Sequence, residues 1–119
     1  MLLYDESLTG EKRDSAMREG LLKRDRIMDF FFSLINRTRS GETLPDVCDE
    51  ISSRLPKNAG TLTGLKRLFD VGDGVYMDFT HFWCLIRPSG TDAVVRYYIE
   101  GEDRARIDQV LDAIVKARV

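Results

Sequence analysis

The chain predicts an α+β fold: an antiparallel sheet, built as a meander, flanked by helices. The observations behind this are two early stretches with helical apolar spacing, a central block of β-rich segments joined by short turns, and a final helical stripe. Each element has one apolar face to bury, and an antiparallel sheet covered by helices buries them all.

The first stripe runs from Leu22 to about Arg37, with Ile27, Phe30, Phe31, Leu34 and Ile35 on one helical face. Arg37 and Arg39 suit the negative end of the helix dipole, and Gly41 ends the segment. Residues 1–20 are polar and contain Gly10 and Gly20, so they read as loop with at most a helical turn near Ala16. The charged run from Glu11 to Gly20 reads as a solvated, mobile segment.

The second helix is "TLPDVCDEISSRLP". Thr43 is its N-cap, Pro45 lies in the first turn and Asp46 follows the cap by three residues. Leu44, Val47, Cys48, Ile51 and Leu55 form the stripe, and Pro56 stops it. "KNAGTLTG" is a break. "LKRLF" fits one helical turn or a short strand equally well. Gly72-Asp73-Gly74 is a turn signal, followed by alternating residues. Phe82–Arg87 and Val94–Glu100 are rich in aromatic and branched residues, which completes three strands with short connections. Glu102 and Asp103 open the last helix, whose inner face carries Ile107, Val110, Leu111, Ile114 and Val115.

The bulk composition narrows the function. Of 119 residues, 43% are hydrophobic and 32% charged, an ordinary globular balance, and the net charge of −2 supplies no global field for nucleic acid or anionic lipid. Apolar runs fall far short of the ~20 residues of a membrane-crossing helix. The N-terminus turns acidic at once and lacks the apolar core of a signal peptide. Cys48 and Cys84 make neither a metal-spaced pair nor a disulfide framework. These features lead to a cytoplasmic expectation, with no membrane and no nucleic acid as partner.

Any anion site must therefore be local, and "RPSGTDAVVRYYIEG" offers one. Arg87 ends one strand and Arg96 lies in the next. Between them Pro88 fixes a φ angle and Gly90 is free to adopt positive φ, while Ser89 and Thr91 present hydroxyls. Such a turn can gather backbone N–H groups into an anion-binding nest, and two guanidiniums add charge with bidentate geometry. More donors converge than a carboxylate uses, so the chemistry matches a phosphate dianion. The same residues also make a good hairpin turn. The remaining chemistry-bearing residues have structural readings. His81 is a turn or surface residue, Phe30-Phe31-Phe32 belongs to the core with one ring free to pack on another domain, Trp83, Tyr97 and Tyr98 pack the sheet, and Cys48 and Cys84 are inert.

This stretch closely resembles the phosphate-binding signature of the α-D-phosphohexomutases, the phosphoglucomutase/phosphomannomutase superfamily. There a sequence of the type R-P-S-G-T-E-P-x-x-R lies in the fourth, C-terminal domain. The match falls on Arg87, Pro88, Ser89, Gly90, Thr91 and Arg96, with Asp92 in place of Glu and Ala93 in place of Pro. The upstream "DGVYMDFTHFWCLIRPSGT" resembles the family too, and "YDES" resembles the sugar-binding stretch of the third domain, with Asp5 and Ser7 in the two ligand roles. The resemblance implies that residues 1–40 are the tail of the third domain and 41–119 the C-terminal phosphate-binding domain, with a fold like that of the TATA-box-binding protein. It implies a part of an intramolecular phosphotransferase, an isomerase of carbohydrate metabolism. Arg87, Ser89, Gly90, Thr91 and Arg96 would hold the phosphate of a hexose phosphate. The partners implied are that phosphosugar and the remaining mutase domains. The family's phosphoserine loop and its Asp-Gly-Asp-Gly-Asp metal loop are not in this sequence, so the chain itself would carry no catalytic residue and no cofactor, and Mg²⁺ is implied only for the full enzyme. The alternative is a free-standing α+β interaction or regulatory module that keeps the fold, with the loop a relic.

Overall fold

Residues 14–20, 24–59, 62–90 and 93–119 are described in a computed structural model of the chain. Along them run β1 (Asp14–Gly20), α1 (Arg24–Arg39), α2 (Leu44–Ser53), β2 (Arg67–Asp70), β3 (Val75–Asp78), β4 (Phe82–Pro88), β5 (Val95–Gly101) and α3 (Arg104–Val115). The strands form one sheet in the order β1-β5-β4-β3-β2, and every neighbouring pair is antiparallel.

From β2 to β5 the chain is a meander whose turns are set locally. Between β2 and β3 the Val71 N–H donates to the Gly74 carbonyl at 3.0 Å, and Gly72 takes φ 106°, a left-handed conformation that favours glycine. The Phe79 N–H donates to the Phe82 carbonyl at 2.8 Å and closes the turn into β4. His81 sits in that turn, exposed, with Nδ1 3.5 Å from a Glu102 carboxylate oxygen.

The strand period of two separates the faces. Val75, Met77, Cys84, Ile86, Val95, Tyr97 and Ile99 point into one apolar cluster. α1 brings Ile27, Phe31 and Leu34 to it, α2 brings Val47 and Ile51, and α3 brings Ile107, Leu111 and Ile114. One core therefore draws on residues from both sides of position 40. The helix stripes read from the sequence are the buried faces observed, because burial of an amphipathic face is what holds a helix of this length in place. Thr43 caps α2 by accepting from the Asp46 N–H at 3.2 Å, and Asp103 caps α3 by accepting from the Ala105 N–H at 3.0 Å. Phe31 is fully buried. Phe30 meets it edge-on at 5.1 Å and lies under the Arg54 guanidinium.

At the α1–α2 corner, Arg37 hydrogen-bonds Glu42 and pairs with Glu50, which also holds Arg54. The Arg37 hydrogen bond holds the Glu42 carboxyl below its ordinary range, and the Arg54 hydrogen bond does the same to Glu50.

The structure corrects one expectation and decides one open reading. Residues 14–20 are not a solvated loop but a seven-residue edge strand paired to β5 along its whole length. The positions facing the helices are Ala16, Arg18 and Gly20, so the strand lacks the apolar alternation that signals one in sequence. The pairing partner and α3 supply what the sequence lacks: Arg18 forms an ion pair with Asp112, and Arg104 donates to the Ser15 carbonyl at 3.2 Å. The ambiguous "LKRLF" resolves as a strand, since Arg67–Asp70 pairs with β3 in register Arg67↔Asp78 to Asp70↔Val75.

The cysteines test the core directly. Both are buried and free, and burial pushes the Cys84 thiol up to about 12 and raises Cys48 as well. Both are expected to resist iodoacetamide at pH 8 in the native protein and to react once it is unfolded in urea. Rapid native labelling of Cys84 would contradict its place under the helices.

Candidate phosphate site

The β4–β5 hairpin brings the two arginines of the predicted loop together. Its register runs from Phe82↔Gly101 to Pro88↔Val95, which sets Arg87 directly opposite Arg96. Side chains so placed have Cβ atoms about 4.5–5.5 Å apart. Ile86 and Val95 point into the core, so Arg87 and Arg96 point to the other face, beside Trp83, Leu85 and Tyr98. The six-residue connection Ser89–Val94 lies immediately beyond them.

Like charges facing each other across two strands repel, and each arginine has its own counter-charge. Arg87 Nη2 donates to Asp73 Oδ2 at 2.7 Å. Arg96 Nε lies 3.5 Å from Glu19 Oε2, an ion pair too long for a hydrogen bond. That Nε is buried, with no hydrogen-bond acceptor among the described residues. In sheet order the charges read Glu19 on β1, Arg96 on β5, Arg87 on β4 and Asp73 in the β2–β3 turn. All four side chains are more than a third exposed, so each pair contributes at most about 1 kcal/mol.

A third guanidinium fixes the loop from the helical side. Arg24, at the start of α1, donates from Nη2 to the Ser89 carbonyl at 3.2 Å. Glycine fixes it from the strand side: a Cβ on Gly74 would lie 2.7 Å from both Arg87 Cβ and the Ile86 carbonyl oxygen. β3 therefore starts against the backbone of Arg87, and this close approach delivers Asp73 to its guanidinium.

Of the expected site residues, Arg87 and Arg96 share a face, Ser89 is 3% exposed at the base of the loop, and Gly90 is exposed beyond it. The expected run of ligand-facing amides does not extend to Ser89, because its N–H donates to the Val94 carbonyl at 3.0 Å and closes the hairpin. Thr91, Asp5 and Ser7 lie outside the described residues. Sequence reasoning missed Arg24, Glu19 and the role of Asp73, which reach the loop only through the tertiary fold. The Gly72-Asp73-Gly74 turn signal was visible; its contact with Arg87 was not. Trp83 stacks on Tyr76 at 5.8 Å, and Tyr97 is buried, which pushes its phenol up to about 12. Both are sheet-packing residues.

The described residues do not fit a magnesium site. Among them no group of three or more His, Cys, Asp or Glu side chains is placed to hold a metal ion, and the Asp73 carboxylate is engaged by Arg87. No helix among them is long and apolar enough to cross a membrane.

A cross-strand arginine pair at the end of a hairpin, on a helix-backed antiparallel sheet, characterises this α+β domain. The family model described as "Phosphoglucomutase/phosphomannomutase, C-terminal domain" matches residues 37–117, and the chain belongs to this family. The match takes in α2, β2 to β5 and α3; β1 lies outside it. The chain is 34% identical over 73 residues to a probable phosphoglucosamine mutase of Methanosarcina barkeri, covering 61% of this chain and 16% of that protein. It is 54% identical over 37 residues to a phosphoglucosamine mutase of Rhodopseudomonas palustris, covering 31% of this chain and 8% of that one. It thus spans a small part of the length of both relatives.

Gly74→Ala tests the buttress beneath Arg87. The added methyl would meet backbone, which cannot swing aside. Overpacking of this kind typically costs about 1–3 kcal/mol, readable as a lower urea midpoint, with chemical-shift changes centred on Ile86 and Arg87. An unchanged midpoint would mean that β3 does not approach β4 this closely.

Proposed function

We propose that residues 41–119 form the C-terminal domain that holds the non-reacting phosphate of a hexose phosphate in a phosphoglucomutase/phosphomannomutase-type enzyme. The observation that carries this reading is the Arg87–Arg96 pair, two guanidiniums in one cross-strand register at the mouth of the Ser89–Val94 loop. The unaccepted Nε–H of Arg96 supports it, since a buried donor of this kind gains by meeting an anion. Arg87 and Arg96 supply charge, Gly90 and Thr91 supply donors from the loop, and Ser89 sets its base. The names of the two relatives favour a hexosamine phosphate as the sugar.

The role is positional. A phosphate held away from the reacting centre fixes the rest of the sugar, so remote binding energy lowers the entropy cost of the chemical step. The reacting groups and Mg²⁺ belong to the remaining mutase domains, which are the partners of this one and against which residues 1–40, with Asp5 and Ser7 as sugar ligands, form the junction. The same reading makes the domain cytoplasmic and able to close over the ligand as a lid.

Titration of the 119-residue chain with glucosamine 6-phosphate tests it, following the Gly90 amide by NMR. A single site without its companion domains is expected to bind on the order of millimolar. Arg87→Ala should remove the shift at Gly90. A shift that persists unchanged in Arg87→Ala, or none in the parent, would favour the relic-loop alternative.

A further inference from the structure

The two carboxylates beside the arginines have no part in the phosphate reading, yet their arrangement is specific. Glu19 and Asp73 come from opposite sides of the β4–β5 hairpin, β1 and the β2–β3 turn, and each takes the arginine nearer to it. Together they carry two negative charges, the charge of a phosphate dianion, against the two positive charges of Arg87 and Arg96. They relieve the repulsion of a like-charge cross-strand pair. Their hold is weak: Asp73 is 54% and Glu19 47% exposed, and the Glu19 contact is not a hydrogen bond. The approach of Gly74 to Arg87 means that Asp73 is placed there by the fold rather than by chance rotation of a surface side chain.

We infer that Asp73 and Glu19 are resident counter-anions that occupy the two guanidiniums until a phosphate dianion exchanges with them, and that this exchange sets the affinity of the site. The inference rests on the phosphate-binding reading. Without ligand the carboxylates stabilise the hairpin; with ligand they are released to solvent. Each phosphate bound thus breaks two weak ion pairs, and the site holds its ligand less tightly than its arginines alone would allow.

The experiment titrates inorganic phosphate into the full chain, the variants Asp73→Asn, Glu19→Gln and Arg87→Ala, and the double variant Asp73→Asn/Glu19→Gln, with the Gly90 amide as reporter. The amides keep the shape and remove the charge. The double variant is expected to bind about threefold to tenfold more tightly than the parent, each single variant by part of that factor. In phosphate-free buffer it should melt lower than the parent and recover more on addition of phosphate. Equal or weaker binding by the charge-neutral variants, with the parent binding and Arg87→Ala not, would overturn the inference and leave the phosphate reading standing. No binding by any of them would overturn both. Should the double variant fail to fold, the two single variants separate the same outcomes.

Discussion

The pairing of β4 with β5 is the constraint on which the rest depends. Its register places Ile86, Tyr97 and Ile99 under the helices and, by the same alternation, Arg87 and Arg96 on the other face. A one-residue slip of β5 would bury the Arg96 guanidinium and expose Val95, Tyr97 and Ile99, so the core that stabilises the fold also aims the site. The helices contribute at a distance: α1 packs on the sheet through Phe31 and Leu34, and that packing carries Arg24 to the Ser89 carbonyl.

The site also shows how a chain with net charge −2 presents local positive charge. The arginines are concentrated by geometry and balanced one by one, so the hairpin tolerates two like charges face to face. Exposed ion pairs are weak enough to exchange, whereas a buried pair would be too costly to open. In the proposed phosphate site, that weakness would let the carboxylates give way to an incoming anion.

Much of this was legible in the sequence, and the division has a physical basis. The stripes of α1, α2 and α3 and the branched residues of β4 and β5 report burial, which is why their elements were readable. β1 was not, because Ser15, Met17 and Glu19 face outward, only Ala16 packs on the core, and the strand exists through its ladder with β5. "LKRLF" was undecidable because its residues suit either state and the partner strand decides. At the site, Arg87 and Arg96 stood out through the loop between them. Asp73 reaches Arg87 across 14 residues and Arg24 reaches Ser89 across 65, and no local pattern encodes such contacts.

A crystal structure of the chain grown with inorganic phosphate examines the central claim most directly. The anion should lie within hydrogen-bonding distance of both the Arg87 and Arg96 guanidiniums, at the mouth of the hairpin, with Asp73 and Glu19 turned away. Guanidiniums still clasped by their carboxylates with the anion elsewhere, or the two arginines on opposite faces of the sheet, would contradict it.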